Sequence, residues 1–396
     1  MRVLYHHRTQ AEDGQAIHIR ALQDALRAEG HDVHEVALVS QADARAAAGE
    51  LEQQRSRFGW IDRVPGFVRE LAEYGYSVVA RRRIVAAGRE VRPDFIYERY
   101  AFGNYGGLAA ARALGLPFLL EVNSPMVLEL GRTRGLSFPR LAARVENRIF
   151  RRADRVCVVT RVLGDMLEEL GVEPGRILVT PNGVDLERYP AARDSDLRRS
   201  ARTELGLEPQ PAEPGPVLGF VGYYRDWHRL DLAVAALTEP GLEHAELVLI
   251  GEGPAREALE TAARDAGVGD RVHFAGRRSH ERIPDLLSAF DVALLPAINP
   301  YASPLKLHEY MAAHLPTVAP DQPNLREVLE HGRDSLLVPA GDAEAFAAAT
   351  IELCRDRELR ERLGSAARAT IVDRDLTWRG NARRVVAAAR EELDRR

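Results

Sequence analysis

The sequence predicts an α/β protein made of two doubly wound parallel-sheet domains, and three observations predict it. Short apolar runs alternate with helical-period segments along the whole 396 residues, the pattern of parallel strands covered by helices. The alternation comes in two series, and the length fits two domains at roughly 150 residues each. Between the series stands Pro209-Gln210-Pro211-Ala212-Glu213-Pro214-Gly215-Pro216, too rich in proline to continue a helix or a central strand.

In the first series the predicted strands are residues 2–5, 33–39, 95–97, 118–122, 155–159 and 177–180, with helices such as 15–29, 67–87 and 138–151 between them. Met1-Arg2-Val3-Leu4-Tyr5 reads as the start of a folded strand and lacks the charged start and apolar core of a signal peptide. The second series takes strands 217–221, 247–250, 272–274, 292–295, 317–319 and 336–338. We therefore expect domains at 1–190 and 217–376, a linker at 191–216, and a helical tail at 377–396 rich in alanine and arginine. Paired sheets of this kind present the loops at their strands' carboxyl ends to a cleft, where ligands usually bind.

Composition narrows the function. Apolar residues make up 45% and charged residues 29%, an ordinary globular mixture. With 54 basic and 59 acidic residues the net charge is −5, so there is no global basic field for nucleic acid, and an anionic ligand needs local charges. No run approaches the ~18 apolar residues of a spanning helix. The two cysteines, Cys157 and Cys354, provide neither a disulfide framework nor a metal knuckle, and a reducing cytoplasm is the expected location. Among the basic residues Lys306 is the single lysine; the other 53 are arginines.

The segment from Ser303 to Ala313, Ser-Pro-Leu-Lys-Leu-His-Glu-Tyr-Met-Ala-Ala, is the most informative. Serine caps helices and proline suits the first helical position, so a helix is predicted to start here and run to about Ala313. Its free amides and dipole favour a phosphate, Lys306 lies in the first turn, and Glu309 lies three residues on, placed to accept hydrogen bonds from ribose hydroxyls. Alternatively, Lys306 and Glu309 form an ordinary surface pair.

A second cluster, Gly219-Phe220-Val221-Gly222-Tyr223-Tyr224-Arg225-Asp226-Trp227-His228-Arg229, ends the first strand of the second series. Its glycines admit close approach of backbone to ligand, and Arg225 and His228 are suited to a diphosphate, though a loop arginine is also commonly just solvated. Leu247–Pro254 and the Asn-Gly turn in Pro181-Asn182-Gly183-Val184-Asp185 have adequate structural readings of their own.

Taken in order, Pro181–Asp185, Gly219–Arg229, Leu247–Pro254, Arg271–Gly276, Asp291–Pro296 and Ser303–Ala313 resemble the retaining, nucleotide-sugar-dependent glycosyltransferases of family 4, in the subgroup reading Ser-Pro-Leu-Lys-Leu. The resemblance implies the GT-B fold: two Rossmann-like domains, an interdomain cleft, and a last helix crossing back to the first domain. It implies that Arg225, Lys306 and Glu309 carry catalysis, with Arg225 and Lys306 on the donor diphosphate and Glu309 on the ribose. Donor contacts are further implied for Gly14, Gly222, His228, Gly276, Arg277, Arg278, Ser303 and Leu305. His228 stands where relatives carry a second lysine, and a neutral imidazole there adds no full charge. Tyr301 stands where the first glutamate of a Glu-x7-Glu pair is usual.

In the first domain, His6, His7, Glu98, Arg99, Asn123 and Ser124 are the acceptor-binding candidates, with Glu98 and Arg99 alternatively a local surface pair. His6, His7 and His18 are read as polar groups near the acceptor rather than metal ligands, because adjacent strand residues point to opposite faces and no acidic cluster accompanies them. No metal and no cofactor is expected beyond the nucleoside-diphosphate sugar. Residues 131–155 hold eight arginines against Glu146 and Asp154, which makes either a solvated helix face or a surface for an anionic lipid membrane or an anionic acceptor. The expected activity is retaining, metal-independent transfer of a hexose-type unit to a hydroxyl acceptor. A nucleotide-sugar hydrolase or epimerase, and a sugar-nucleotide-binding protein without turnover, are the alternatives.

Overall fold

The computed structural model describes residues 1–9, 14–37, 65–207 and 215–396. These pack as two compact units, Met1–Pro181 with Trp378–Arg396, and Asn182–Thr377.

The first unit is a six-stranded parallel sheet of β1 (Arg2–His7), β2 (Asp32–Ala37), β3 (Phe95–Arg99), β4 (Phe118–Val122), β5 (Arg155–Val158) and β6 (Ile177–Val179), ordered β2-β1-β3-β4-β5-β6. Strands β3, β4 and β5 are buried along their whole length, which is why their sequences read as continuous apolar runs rather than alternating ones. Strand β1 runs two residues past its predicted end because His6 and His7 continue its ladder to β2. Leu38 and Val39, the predicted end of β2, lie outside the described residues. Within this unit the last helix, Trp378–Asp394, packs on the first, Gly14–Ala28. Arg379 and Arg383 reach Glu29 at 2.7 and 3.0 Å, and the Trp378 ring meets that of His18 edge-on at 4.8 Å. The buried Arg155 pairs with Glu391 and Glu392 at 2.6 Å each.

The second unit repeats the design with β7 (Val217–Val221), β8 (Glu246–Ile250), β9 (Val272–Gly276), β10 (Val292–Leu294), β11 (Thr317–Pro320) and β12 (Ser335–Val338), ordered β12-β11-β10-β7-β8-β9. The expected boundary is corrected here. The break falls between Pro181 and Asn182, and much of the segment read as linker is a helix, Ser195–Glu204, belonging to the second unit. Asp194 caps it by accepting from Asp196 and Leu197, and Arg198 and Arg202 hold the buried Asp291 at 2.6 and 2.7 Å. Ala201, Leu205 and Leu207 join the core of that unit. Residues 209–214 of the proline run lie outside the described residues. No helix among the described residues is long and apolar enough to cross a membrane.

Candidate functional site

In the second unit the ends of β7, β8 and β9 are tied together by backbone bonds. Gly222 donates to Ile250 O at 2.9 Å and Gly251 to Gly276 O at 3.0 Å. At Gly222 the backbone has φ 145°, and a Cβ there would sit 2.8 Å from Lys306 Nζ, so glycine is needed both for the turn and to make room for the lysine. The helix Leu305–Ala312 is anchored to the same strand by Tyr310, whose hydroxyl accepts from Val221 N at 2.8 Å.

The start of that helix differs from the expectation. Pro304 occupies the N-cap position and Ser303 does not cap. The reason is a competing partner: Ser303 Oγ accepts from Asn182 N at 3.1 Å, and the Ser303 carbonyl accepts from the Asn182 amide. The Asn-Gly turn therefore fastens the entrance to the helix.

Lys306 does not pair with Glu309 across the helix. Its Nζ stands 3.9 Å from the centre of the Phe220 ring, a cation–π contact, and burial pushes its ammonium down to about 7. Such a lysine is a cation short of compensation, which a phosphate would supply. Arg225 is exposed and stacks over two aromatic rings, Tyr223 at 4.6 Å and Trp227 at 5.1 Å, themselves 53% and 47% exposed. Both rings are exposed, so the guanidinium stacks on the surface of the unit. His228 is buried against Phe220, with Nδ1 accepting from Arg225 N at 3.4 Å; burial, then Lys306, pushes it down to about 3. It is neutral and organises the loop. Glu309 is buried with Oε1 2.8 Å from His280 Nε2. Leu305 is partly exposed beside Lys306, Gly276 turns at φ 70° to close β9, and Arg278 donates to Arg277 O at 3.3 Å.

The first unit gathers its polar candidates at the carboxyl ends of β1, β3 and β4. His6 Nδ1 lies 2.5 Å from Glu98 Oε2 with both fully buried, and His7 Nε2 lies 2.6 Å from Glu35 Oε1. The reading of Glu98 and Arg99 as a surface pair is overturned, since both are buried and point to different partners, Arg99 to Glu121. Gly107 lets the helix Gly106–Leu114 press against Glu98, where a Cβ would collide with its carboxylate. Glu121 is the hub. It is reached by Arg99, by the Asn123 amide, by Tyr97 Oη at 2.9 Å and by His18 Nε2 at 3.2 Å. Burial raises its carboxyl, but the charges of His18 and Arg99 with these hydrogen bonds outweigh that and hold it well below the usual carboxylate range. Ser124 Oγ lies 3.5 Å from Met126 Sδ, and Gly14 opens the first helix.

Of the arginines in residues 131–155, Arg134 pairs with Glu73 at 2.9 Å, Arg151 donates to Leu170 O at 2.6 Å and Arg155 is buried. Arg140, Arg144, Arg148 and Arg152 form an exposed stripe at four-residue spacing on the helix Pro139–Arg152. Within that helix Glu146 is buried, and burial raises it to about 7.

Sequence reasoning singled out none of Glu121, His280 and Phe220 as site residues, nor Arg188, which donates to the His280 carbonyl at 2.7 Å. A carboxylate inside the apolar run Phe118–Val122 was the one available signal.

With this geometry in view, known proteins can be compared. Residues 13–188 match the model of the family described as Glycosyltransferase Family 4, and residues 215–356 that of Glycosyl transferases group 1. The two matches lie in order along the chain, family 4 over its N-terminal part and group 1 over its C-terminal part, each spanning less than half of it, and the two-sheet α/β fold is that of GT-B structures. It is 34% identical over 200 residues to the 2-deoxystreptamine glucosyltransferase of Streptomyces kanamyceticus, a match spanning 49% of this chain and 50% of that enzyme. It is 28% identical to the D-inositol 3-phosphate glycosyltransferase of Salinispora arenicola, over 78% of this chain and 70% of the relative. In fold it is similar to Anabaena HepE in complex with UDP-glucose, with TM-score 0.73, 17% identity, and 99% and 100% of the two chains covered.

Proposed function

We propose that the chain transfers a sugar from a nucleoside-diphosphate sugar to a hydroxyl acceptor, with retention of configuration and without a metal ion. The observation that carries this reading is the desolvated Lys306 at the first turn of Leu305–Ala312, with no carboxylate within ion-pair distance among the described residues and with Arg225 held on its aromatic platform in the same unit. Two cations prepared in this way neutralise the charge that grows on a departing diphosphate, the work a divalent ion does elsewhere. Glu309 accepts from the ribose hydroxyls. The departing phosphate oxygen takes the acceptor's proton on the face it leaves, so no enzymic base is required opposite, and Asn123 is compatible with that because an amide is not a base.

Support for the donor class comes from the UDP-glucose in HepE, and for a polyhydroxylated ring as acceptor from the names of the two relatives. The test measures nucleotide release from UDP-, GDP-, ADP- and TDP-glucose, with and without 2-deoxystreptamine or inositol 3-phosphate. We expect acceptor-dependent release that survives EDTA, and a product with the donor's anomeric configuration by NMR coupling. Release independent of acceptor indicates a hydrolase and binding without release a non-catalytic protein. An inverted product, or activity lost to EDTA and restored by manganese, overturns the mechanism.

A further inference from the structure

One charged chain in the second unit has no part in the roles above. His280, whose Nε2 meets Glu309 Oε1 at 2.8 Å, is itself gripped by Arg188. Arg188 Nη1 lies 3.2 Å from His280 Nδ1, and Nη2 donates to the His280 carbonyl at 2.7 Å. A guanidinium carries only donors, so Nδ1 must hold the lone pair and Nε2 the proton. The ring is thereby fixed as one tautomer with its N–H aimed at the carboxylate, and the second Arg188 contact fixes the backbone that carries the ring.

Arg188 closes the short turn Leu186–Arg188, a few residues after Asn182. Asn182 is the residue fastened to Ser303, at the entrance to the helix bearing Lys306 and Glu309. One stretch of chain therefore holds both the helix and the histidine that grips its glutamate, a task the sequence alone did not assign to the Asn-Gly turn.

We infer that His280, oriented by Arg188, is a positioning residue for nucleotide recognition. It occupies Oε1 of Glu309, stops the carboxylate from rotating, and leaves Oε2 to accept from the ribose hydroxyls. This rests on the reading that Glu309 meets the ribose. A buried carboxylate deprived of that N–H would turn toward whatever donor remained, and its alignment with a ribose would be lost even though the rest of the site stood.

The experiment compares the affinities of UDP, GDP and ADP with those of their 2′,3′-dideoxy forms, by calorimetry on the full chain. Wild type should prefer the tightest-binding ribonucleotide by about tenfold or more, the scale of a hydrogen bond to a charged group. His280→Phe, which keeps a ring but no donor, should lower that preference to about twofold while leaving dideoxy binding nearly unchanged. His280→Gln, which places an amide N–H near the position of Nε2, should restore most of it, and Arg188→Met should lose part. A purely structural role would weaken both ligands equally and leave their ratio intact. A wild-type ratio retained in His280→Phe overturns the inference alone; if that variant fails to fold, the same ratio retained in Arg188→Met does so. A wild type with no ribose preference overturns the reading of Glu309, and the inference with it.

Discussion

The two units treat their polar and charged side chains in opposite ways. At the carboxyl ends of β1, β3 and β4, His6, His7, His18 and Arg99 each meet a carboxylate, and Glu121 gathers Arg99, His18, Asn123, Tyr97 and Tyr5. In the second unit Lys306 is desolvated over an aromatic ring and Arg225 is propped on two more, with no carboxylate paired to either among the described residues. The first arrangement is neutralised in advance and favours rigidity; the second leaves its cations without an internal counter-charge among the described residues. Under the function proposed above, that leaves the cations free of any internal partner that would compete with a diphosphate.

That contrast is most severely tested at the hub. Glu121→Gln leaves the buried Arg99 without its counter-ion, and should destabilise the chain by about 3–5 kcal/mol in urea denaturation. A loss below about 1 kcal/mol would show that the first cluster is as uncompensated as the second.

The next largest effect belongs to Lys306. Its replacement by alanine should lower kcat as well as donor affinity, removing roughly 2–4 kcal/mol of transition-state stabilisation, with Arg225→Ala similar and His228→Ala smaller. His228 costs less because it is neutral and spends Nδ1 on its own loop. Wild-type kcat/KM in Lys306→Ala would reduce the lysine to a surface residue.

A smaller effect sharpens the comparison through pH. Burial holds the Lys306 ammonium down at about 7 in the free protein, and a diphosphate raises it again, so binding takes up a proton wherever the lysine was neutral. Affinity for a nucleoside diphosphate should be full below about pH 7 and weaken as pH rises, by at most about tenfold per unit. Titration calorimetry in buffers of different ionisation enthalpy reads the proton directly. Lys306→Arg, charged throughout this range, should take up none; equal uptake by that variant would assign the proton to another group.

The sequence by itself determined the framework. Apolar runs such as Phe118–Val122 and Val217–Val221 became strands because a parallel sheet covered on both faces needs no alternation, and glycines such as Gly222 and Gly276 marked the turns at strand ends. It also pointed to Lys306, Glu309 and Arg225 through local spacing. The tertiary structure decided what those residues touch. Ser303 reads as a cap, yet Asn182 takes its oxygen; residues 195–204 follow a charged stretch, yet Asp291 and a core contact make them a helix. The spacing of Lys306 and Glu309 also allowed a surface pair, yet Phe220 and His280 divide them. Partners so distant in sequence as Arg188 and His280, or Arg99 and Glu121, are chosen by strand order and helix packing. Local propensity acts over a few residues and carries no record of which distant group will arrive.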